Sequence, residues 1–145
     1  MPSAQRSVVI ARPVDEVFAF FADPTRSTQW RSHVKEVSAD GPVAVGTVYR
    51  QRVNGPGGRP VAADIRLSEL LPGRRVVFVG VAGPVRPQVT YEFEPVETGT
   101  RVTLTLSAAL SGLKKVVMGP MVQKSMTGEV ASLETAKRVL ESRES

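Results

Sequence analysis

Side chains that could support acid–base, nucleophilic or metal chemistry are few in this 145-residue chain. It contains no cysteine and a single histidine, His33, so thiol nucleophiles are excluded and a Ser-His-Asp triad would have to use His33. Because His33 directly follows a predicted short helix, we expect an exposed or structural role for it. One histidine excludes a two-histidine metal centre, and no acidic cluster supports an all-carboxylate site. The sequence therefore predicts no metal, no cofactor and no convincing catalytic group.

Three short stretches imitate functional motifs but lack the spacing that the chemistry needs. Asp15 and Glu16 are adjacent carboxylates, yet neighbouring helix positions point in different directions, and a first helical turn favours negative charge. The stretch 41–47 has Thr47 where a phosphate loop requires lysine, and no helix is predicted after it. The stretch GPGG from Gly55 is typical of a hairpin turn. We expect structural roles for all three.

Tyr91 is the best-placed polar side chain for contact with a bound molecule. Val89 and Phe93 share its face of a predicted strand, and residue alternation makes that face apolar. A buried phenol usually needs a hydrogen-bond partner, which is either a ligand or another side chain. Tyr91 is therefore also a weak catalytic candidate. Further polar candidates lie on two earlier predicted strands: Tyr49, Arg50, Gln51, Arg52 and Glu69.

The pattern of residues 46–54 leaves the orientation of this predicted strand open. Either Arg50 or the pair Tyr49 and Gln51 faces inward, because too few apolar residues lie nearby to decide. An inward arginine would suit a carboxylate or a phenolate. Surface exposure of Arg50 and Arg52 is the more common outcome for such residues.

An aromatic-rich stretch, FAFFADPTRSTQW, holds three of the five phenylalanines and the only tryptophan. Phe18 and Phe21 recur at helical spacing and are expected to be core residues. Phe20 lies on a different face of the same helix. The residue before Pro24 avoids the helical region, so the helix ends there, and Trp30 closes a short second helix.

The elements that position these residues follow from apolar periodicity and from breaks at glycine and proline. A first strand is predicted at Gln5–Ala11, followed by a helix that buries Val14, Val17, Phe18 and Phe21. Six further strands are predicted at 33–38, 46–54, 60–71, 75–82, 87–96 and 101–110. Their connections are too short for parallel crossovers, so we expect an antiparallel sheet.

The C-terminal segment is the best cover for the apolar face of this sheet. The spacing of its apolar residues predicts an amphipathic helix of about five turns or more. The positions at helical spacing are Val122, Met126, Val130, Leu133, Lys137 and Leu140. Met118 and Met121 lie on this helix or just before it, and methionine suits both core filling and pocket lining.

Length and composition predict one globular domain spanning residues 1–145. The formal charge of +5 raises the question of nucleic-acid binding. The basic residues, however, are spread along the chain without interleaved aromatic residues, so we expect no nucleic-acid partner. No apolar run approaches the roughly 20 residues that cross a bilayer, so no stable membrane insertion is expected. With no cysteine and no leader pattern, we predict a cytoplasmic location.

Several strings along the chain carry a family resemblance. They are IARPVDEVFAFFADP, then Trp30, GTVY from Gly46, LSELLPGRRVVF from Leu67, YEFEPVETGTRVTL from Tyr91, and LETAKRVLE near the C-terminus. In this order they resemble the START-like superfamily, also called SRPBCC, with its polyketide cyclase/dehydrase and birch-pollen-allergen branches. The resemblance implies an α+β helix-grip fold. In that fold a curved seven-stranded antiparallel sheet wraps a long C-terminal helix, with two short helices between strands 1 and 2.

The resemblance also implies a function, because the cavity between sheet and helix in this superfamily usually takes apolar molecules. We expect binding or carriage of a hydrophobic or aromatic small molecule, lipid or polyketide-like, by a monomer or homodimer. Trp30 is implied to lie near the cavity entrance. The residues expected to contact the ligand are Trp30, Tyr91, Phe93, Leu104, Leu106, Met121, Val122 and Met126.

Two other functions stay open from the sequence. The first is a polyketide cyclase/dehydratase-like enzyme, in which Tyr91 or an inward arginine assists enolisation of a poly-β-keto or aromatic substrate. The second is a protein-interaction module that uses the outer sheet face or a basic edge. Fold alone does not select among these functions.

Overall fold

A computed structural model describes residues 3–31, 34–54, 59–81, 87–108, 127–128 and 130–142. Its elements in chain order are β1 (Ser3–Ile10), α1 (Val14–Ala22), a 3-10 helix (Pro24–Gln29), β2 (Val34–Ala39), β3 (Val48–Asn54), β4 (Pro60–Ala62), β5 (Ile65–Leu71), β6 (Arg75–Gly80), β7 (Pro87–Val96), β8 (Gly99–Ala108) and α2 (Leu133–Glu141). This order confirms the predicted sequence of elements. The first strand begins and ends slightly earlier than predicted.

The strands form one curved antiparallel sheet in the order β1-β8-β7-β6-β5-β3-β2, with β4 paired to β3 beside this path. The strand predicted over 60–71 is split into β4 and β5. At the break, the Ala63 N–H donates to the Gln51 carbonyl at 2.9 Å. The Gln51 N–H in turn donates to the Asp64 carboxylate at 3.2 Å. A side chain therefore replaces a ladder bond here, which the strand pattern did not reveal.

Alternation along β7 and β8 separates an apolar inner face from a polar outer face, as predicted. Tyr91 pairs with Leu104 and Phe93 pairs with Val102 across the ladder. All four side chains are buried. Of the intervening residues, Glu92 is exposed and Thr103 is partly exposed, so the inner face of this sheet forms one side of the core.

Helix α1 packs between the sheet and the 3-10 helix and buries a wider face than predicted. Val17 and Phe21 are buried as expected, but Phe20 is also buried, with an exposed fraction of 1%. Val14 and Phe18 are only partly buried and pack against the core. A helix that contacts partners on two sides buries residues beyond one apolar stripe.

Helix α2 packs against β1 through both polar and apolar contacts. Its side chains Leu133, Ala136 and Leu140 are buried. The Lys137 ammonium donates to the Val9 carbonyl at 2.6 Å, which explains why a lysine occupies an apolar position of the helix pattern. The upstream part of the predicted long helix, including Val122 and Met126, lies outside the described residues. No helix in the described ranges is long and apolar enough to span a membrane.

Candidate functional site

The inner face of the sheet and the two N-terminal helices meet in a cluster of aromatic rings around Phe21. Its ring centroid lies 5.3 Å from Phe20, 5.4 Å from Trp30 and 5.2 Å from Tyr91. Phe93 is 6.1 Å away. These separations are typical of edge-to-face and tilted aromatic pairs. Phe21 therefore links α1 to the C-terminal end of the 3-10 helix and to β7 through ring contacts.

The cluster continues across the sheet to β6 and β3. Phe78 lies 6.4 Å from Tyr91, and Tyr49 lies 6.0 Å from Phe78. At the other end, Phe18 contacts Phe93 at 5.0 Å. We call the connected set the aromatic network: Phe18, Phe20, Phe21, Trp30, Tyr49, Phe78, Tyr91 and Phe93. The chain contains five phenylalanines, two tyrosines and one tryptophan, so every aromatic side chain belongs to it.

The structure brings together five of the residues predicted to contact a ligand. Trp30, Tyr91 and Phe93 belong to the aromatic network, and Leu104 and Leu106 lie in the same core on β8. Their exposed fractions are 7% or less. The other predicted contacts, Met121, Val122 and Met126, lie outside the described residues, as does His33.

The inward face of β3, which the sequence left open, carries Tyr49 and Gln51. Their exposed fractions are 0% and 5%. Arg50 points to the outer side, where its guanidinium forms an ion pair with Asp40 at 3.1 Å, and Arg52 is exposed. An arginine from β3 therefore does not enter the interior.

Arg31, which follows the 3-10 helix, contacts an inward-facing side chain instead. Arg31 Nη1 donates to the Gln51 side-chain oxygen at 3.4 Å. The Arg31 guanidinium lies 6.0 Å from the centre of the Trp30 ring, a distance suited to a cation–π contact. Sequence reasoning missed Arg31, although its position beside the single tryptophan was a signal. It also missed Phe78, which the apolar run of β6 marks as a core residue.

The two inward polar side chains of β3 differ in how they are hydrogen-bonded. Gln51 donates from its amide nitrogen to the Ala63 carbonyl at 2.8 Å and accepts from Arg31. The Tyr49 hydroxyl is buried and has no hydrogen-bond partner among the described residues. Burial raises the pKa of the Tyr49 phenol above its usual value, and the negative charge of Asp23 raises it further. Tyr49 is therefore a neutral, unsatisfied hydroxyl at physiological pH.

Two clefts in the described part of the chain are lined mainly by polar and charged side chains. The larger, of about 580 Å³, is bordered by Arg75, Glu92 and Arg101, and from the aromatic network Phe93 reaches it. The smaller, of about 300 Å³, lies beside Arg50. The larger cleft lacks the predominantly apolar lining that a hydrophobic ligand requires.

The acidic residues considered in the sequence analysis have structural roles in the fold. Glu69 forms an ion pair with Arg75 at 3.4 Å, and its side chain is 41% exposed. Asp15 and Glu16 occupy the first turn of α1, where the helix dipole favours acidic residues. Over the described ranges, no group of three or more histidine, aspartate and glutamate side chains could hold a metal ion.

Residues 1–141 match the family model described as polyketide cyclase/dehydrase and lipid transport. The chain belongs to this family. Membership in the polyketide cyclase/dehydrase and lipid transport family confirms the resemblance inferred from the ordered strings. No curated protein matches this family member in sequence.

Solved structures confirm the helix-grip fold of this polyketide cyclase/dehydrase family member. A START superfamily protein from Mycobacterium smegmatis aligns with a TM-score of 0.79 at 14% identity, covering 96% of this chain and 97% of that one. A Thermus thermophilus protein aligns with a TM-score of 0.78 at 22% identity, covering 94% and 95%. The di-domain ARO/CYC StfQ from the steffimycin biosynthetic pathway aligns with a TM-score of 0.80 at 14% identity, covering 97% of this chain and 50% of that one. At these identities the likeness concerns the fold.

Proposed function

We propose that this protein binds a hydrophobic or aromatic small molecule, lipid or polyketide-like, between its curved sheet and its C-terminal helix. The observation that carries the proposal is the aromatic network, which joins every phenylalanine, tyrosine and tryptophan of the chain in one connected cluster between the N-terminal helices and the sheet. Aromatic rings provide large apolar contact areas together with geometric preference. Burial of the ligand's apolar surface would supply the affinity, and a few polar groups would orient it.

The proposed contacts are the predicted ligand residues, together with the rings that adjoin them. Tyr91, Phe93, Leu104 and Leu106 would contact the ligand from the sheet, and Trp30 would contact it from the end of the 3-10 helix. Met121, Val122 and Met126 would complete the site from the C-terminal segment. Since the described contacts are 7% exposed or less, a ligand must displace neighbouring groups as it enters.

A ligand panel tests this proposal by thermal shift. Fatty acids, sterols, flavonoids and polyketide-like aromatics are each added to the full chain, and the melting temperature Tm is measured. At least one class is expected to raise Tm, because a ligand that binds only the folded state stabilises it. Trp30 is the only tryptophan, so a parallel change in its fluorescence would locate binding near the network. An unchanged Tm and unchanged fluorescence across all four classes would contradict the proposal.

A second candidate is a polyketide cyclase/dehydratase-like enzyme. It is favoured by the family description and by the burial of Tyr91 between the rings of Phe21 and Phe78. A poly-β-keto member of the panel distinguishes the two candidates, because a carrier returns it unchanged whereas a cyclase converts it to a cyclised or dehydrated product. Mass spectrometry of the recovered ligand gives the answer.

We further propose that residues 1–145 act as one domain of a cytoplasmic protein, monomeric or homodimeric, without a nucleic-acid partner. Local pairing of positive with negative side chains supports the absence of a nucleic-acid partner. Arg50 pairs with Asp40, and Arg101 pairs with Glu94, so part of the positive charge is already neutralised at the outer surface. A phosphate backbone would have to compete with these carboxylates.

A further inference from the structure

Tyr49 is the feature of the interior that packing alone does not explain. Its side chain is fully buried, and its hydroxyl has no hydrogen-bond partner in the part of the chain that the structure describes. Leaving a buried polar group unsatisfied destabilises a fold, whereas phenylalanine would occupy nearly the same space without that penalty. An unsatisfied hydroxyl beside the aromatic network therefore calls for a partner other than the described residues.

The position of Tyr49 suits contact with a ligand held by the aromatic network. Its ring meets Phe78 nearly edge-on, with an interplanar angle of 81°, and Phe78 meets Tyr91 at 85°. The neighbouring inward residue, Gln51, already uses both ends of its amide. Tyr49 is thus the polar group of inward-facing β3 whose hydrogen-bonding capacity remains unused among the described residues.

The surroundings of Tyr49 also select the chemistry of its partner. Its phenol is neutral, since burial and the nearby Asp23 carboxylate both raise its pKa. A neutral phenol donates one hydrogen bond. A carbonyl or hydroxyl oxygen of a ligand is a suitable acceptor for that hydrogen bond.

We propose that Tyr49 is the specificity-determining hydrogen-bond donor of the ligand site, and that the ligand presents a carbonyl or hydroxyl oxygen to it. This inference rests on the proposed binding function and names the polar recognition within it. No described residue accepts a hydrogen bond from this hydroxyl, and in the complex the ligand oxygen accepts it. The Tyr49 hydroxyl therefore lowers the stability of the free protein but allows it to discriminate between ligands with and without an acceptor oxygen.

The test compares two probes that differ by one oxygen, 1-tetralone and its hydrocarbon counterpart tetralin. Dissociation constants for the full-length wild type and for Tyr49→Phe are measured by titration of Trp30 fluorescence and by calorimetry. Wild type is expected to prefer tetralone by about five- to tenfold, the effect of one hydrogen bond. Tyr49→Phe should lose this preference and bind tetralin as well as wild type does.

The outcomes separate failure of the inference from failure of the proposed function. If both probes bind and the preference for tetralone persists in Tyr49→Phe, the inference is wrong while binding stands. If neither these probes nor the wider panel binds, the proposed function fails and the inference fails with it.

The stability of the free protein gives a second, ligand-independent measurement. Removing an unsatisfied hydroxyl should raise the Tm of Tyr49→Phe by about 3 °C. A lower Tm would mean that the hydroxyl is hydrogen-bonded within the free protein, which would overturn the inference. Because phenylalanine keeps the ring, the variant is expected to fold.

Discussion

Phe21 is the residue at which the N-terminal helices and the sheet are joined. Its ring contacts Phe20 on its own helix, Trp30 at the end of the 3-10 helix, and Tyr91 and Phe93 on β7. Each contact combines apolar burial with a preferred ring geometry. Loss of this ring would leave a cavity bordered by several elements at once.

Phe21→Ala is therefore expected to lower the free energy of unfolding by about 3–5 kcal/mol. Phe18→Ala is the matched control, because Phe18 is on the same helix but only partly buried; its loss should be about half of that or less. Urea unfolding followed by circular dichroism measures both. Equal losses would show that Phe21 does not have this central packing role.

At the scale of elements, the C-terminal end of α2 is attached to β1 and to the short connection between β1 and α1. The Glu141 carboxylate accepts from Lys137 at 2.9 Å and from the Ala11 N–H at 2.8 Å. The Arg12 guanidinium donates to the Leu140 carbonyl at 3.0 Å. Hydrogen bonds to ionised groups are stronger than neutral ones, so these contacts should hold the helix against the sheet edge.

The hydrogen bond from Lys137, followed by that from Ala11, lowers the pKa of Glu141 below its usual value near 4.5. A carboxyl with a lowered folded pKa stabilises the fold above its unfolded pKa, and this stabilisation is lost as pH falls through the folded value. Glu141→Gln should therefore lower the free energy of unfolding by about 1 kcal/mol at pH 7. The difference from wild type should shrink as pH falls below 4.5.

Glu134→Gln provides the control for this pH series. Glu134 is on the same helix and pairs with Arg6 at 3.1 Å, but both side chains are more than 40% exposed, and exposed pairs contribute little. Thermal melts across the pH range measure all three proteins. A constant difference between Glu141→Gln and wild type at every pH would exclude the ionised Glu141 as the source of stability.

Elements also show where the sequence was informative. Alternation on β7 and β8 identified the faces of Tyr91, Phe93 and Leu104 correctly, since these strands have one apolar and one wet side. The same method could not orient β3. There, the Gln51 side chain can face inward because Arg31 donates to its amide oxygen and the Ala63 carbonyl accepts from its amide nitrogen, and those partners come from other segments.

On the scale of the whole molecule, β1 links the two ends of the described chain. It pairs with β8 along its full length and carries the polar contacts to α2. The aromatic network in turn connects α1 and the 3-10 helix to β3, β6 and β7. Such shared contacts favour a single cooperative unfolding transition.

We expect the urea unfolding curves from Trp30 fluorescence and from far-ultraviolet circular dichroism to coincide. Fluorescence reports the environment of one buried residue at the end of the 3-10 helix, while circular dichroism reports the sheet and helices throughout. Coincident midpoints and slopes are expected for one domain. Separate transitions would mean that the N-terminal helices and the sheet unfold independently.

The sequence by itself determined the order of elements, the apolar face of the last two strands and the family, because periodicity, turn residues and ordered strings are local properties of the chain. Only the tertiary structure decided that every phenylalanine, tyrosine and tryptophan joins one network. It also decided that Arg31 rather than Arg50 contacts the inner face. Finally, it left the Tyr49 hydroxyl without a hydrogen-bond partner among the described residues. These features depend on contacts between distant residues, such as Tyr49 with Phe78. Whether a buried polar group finds a partner is settled by the assembled fold, since any segment of the chain can supply one.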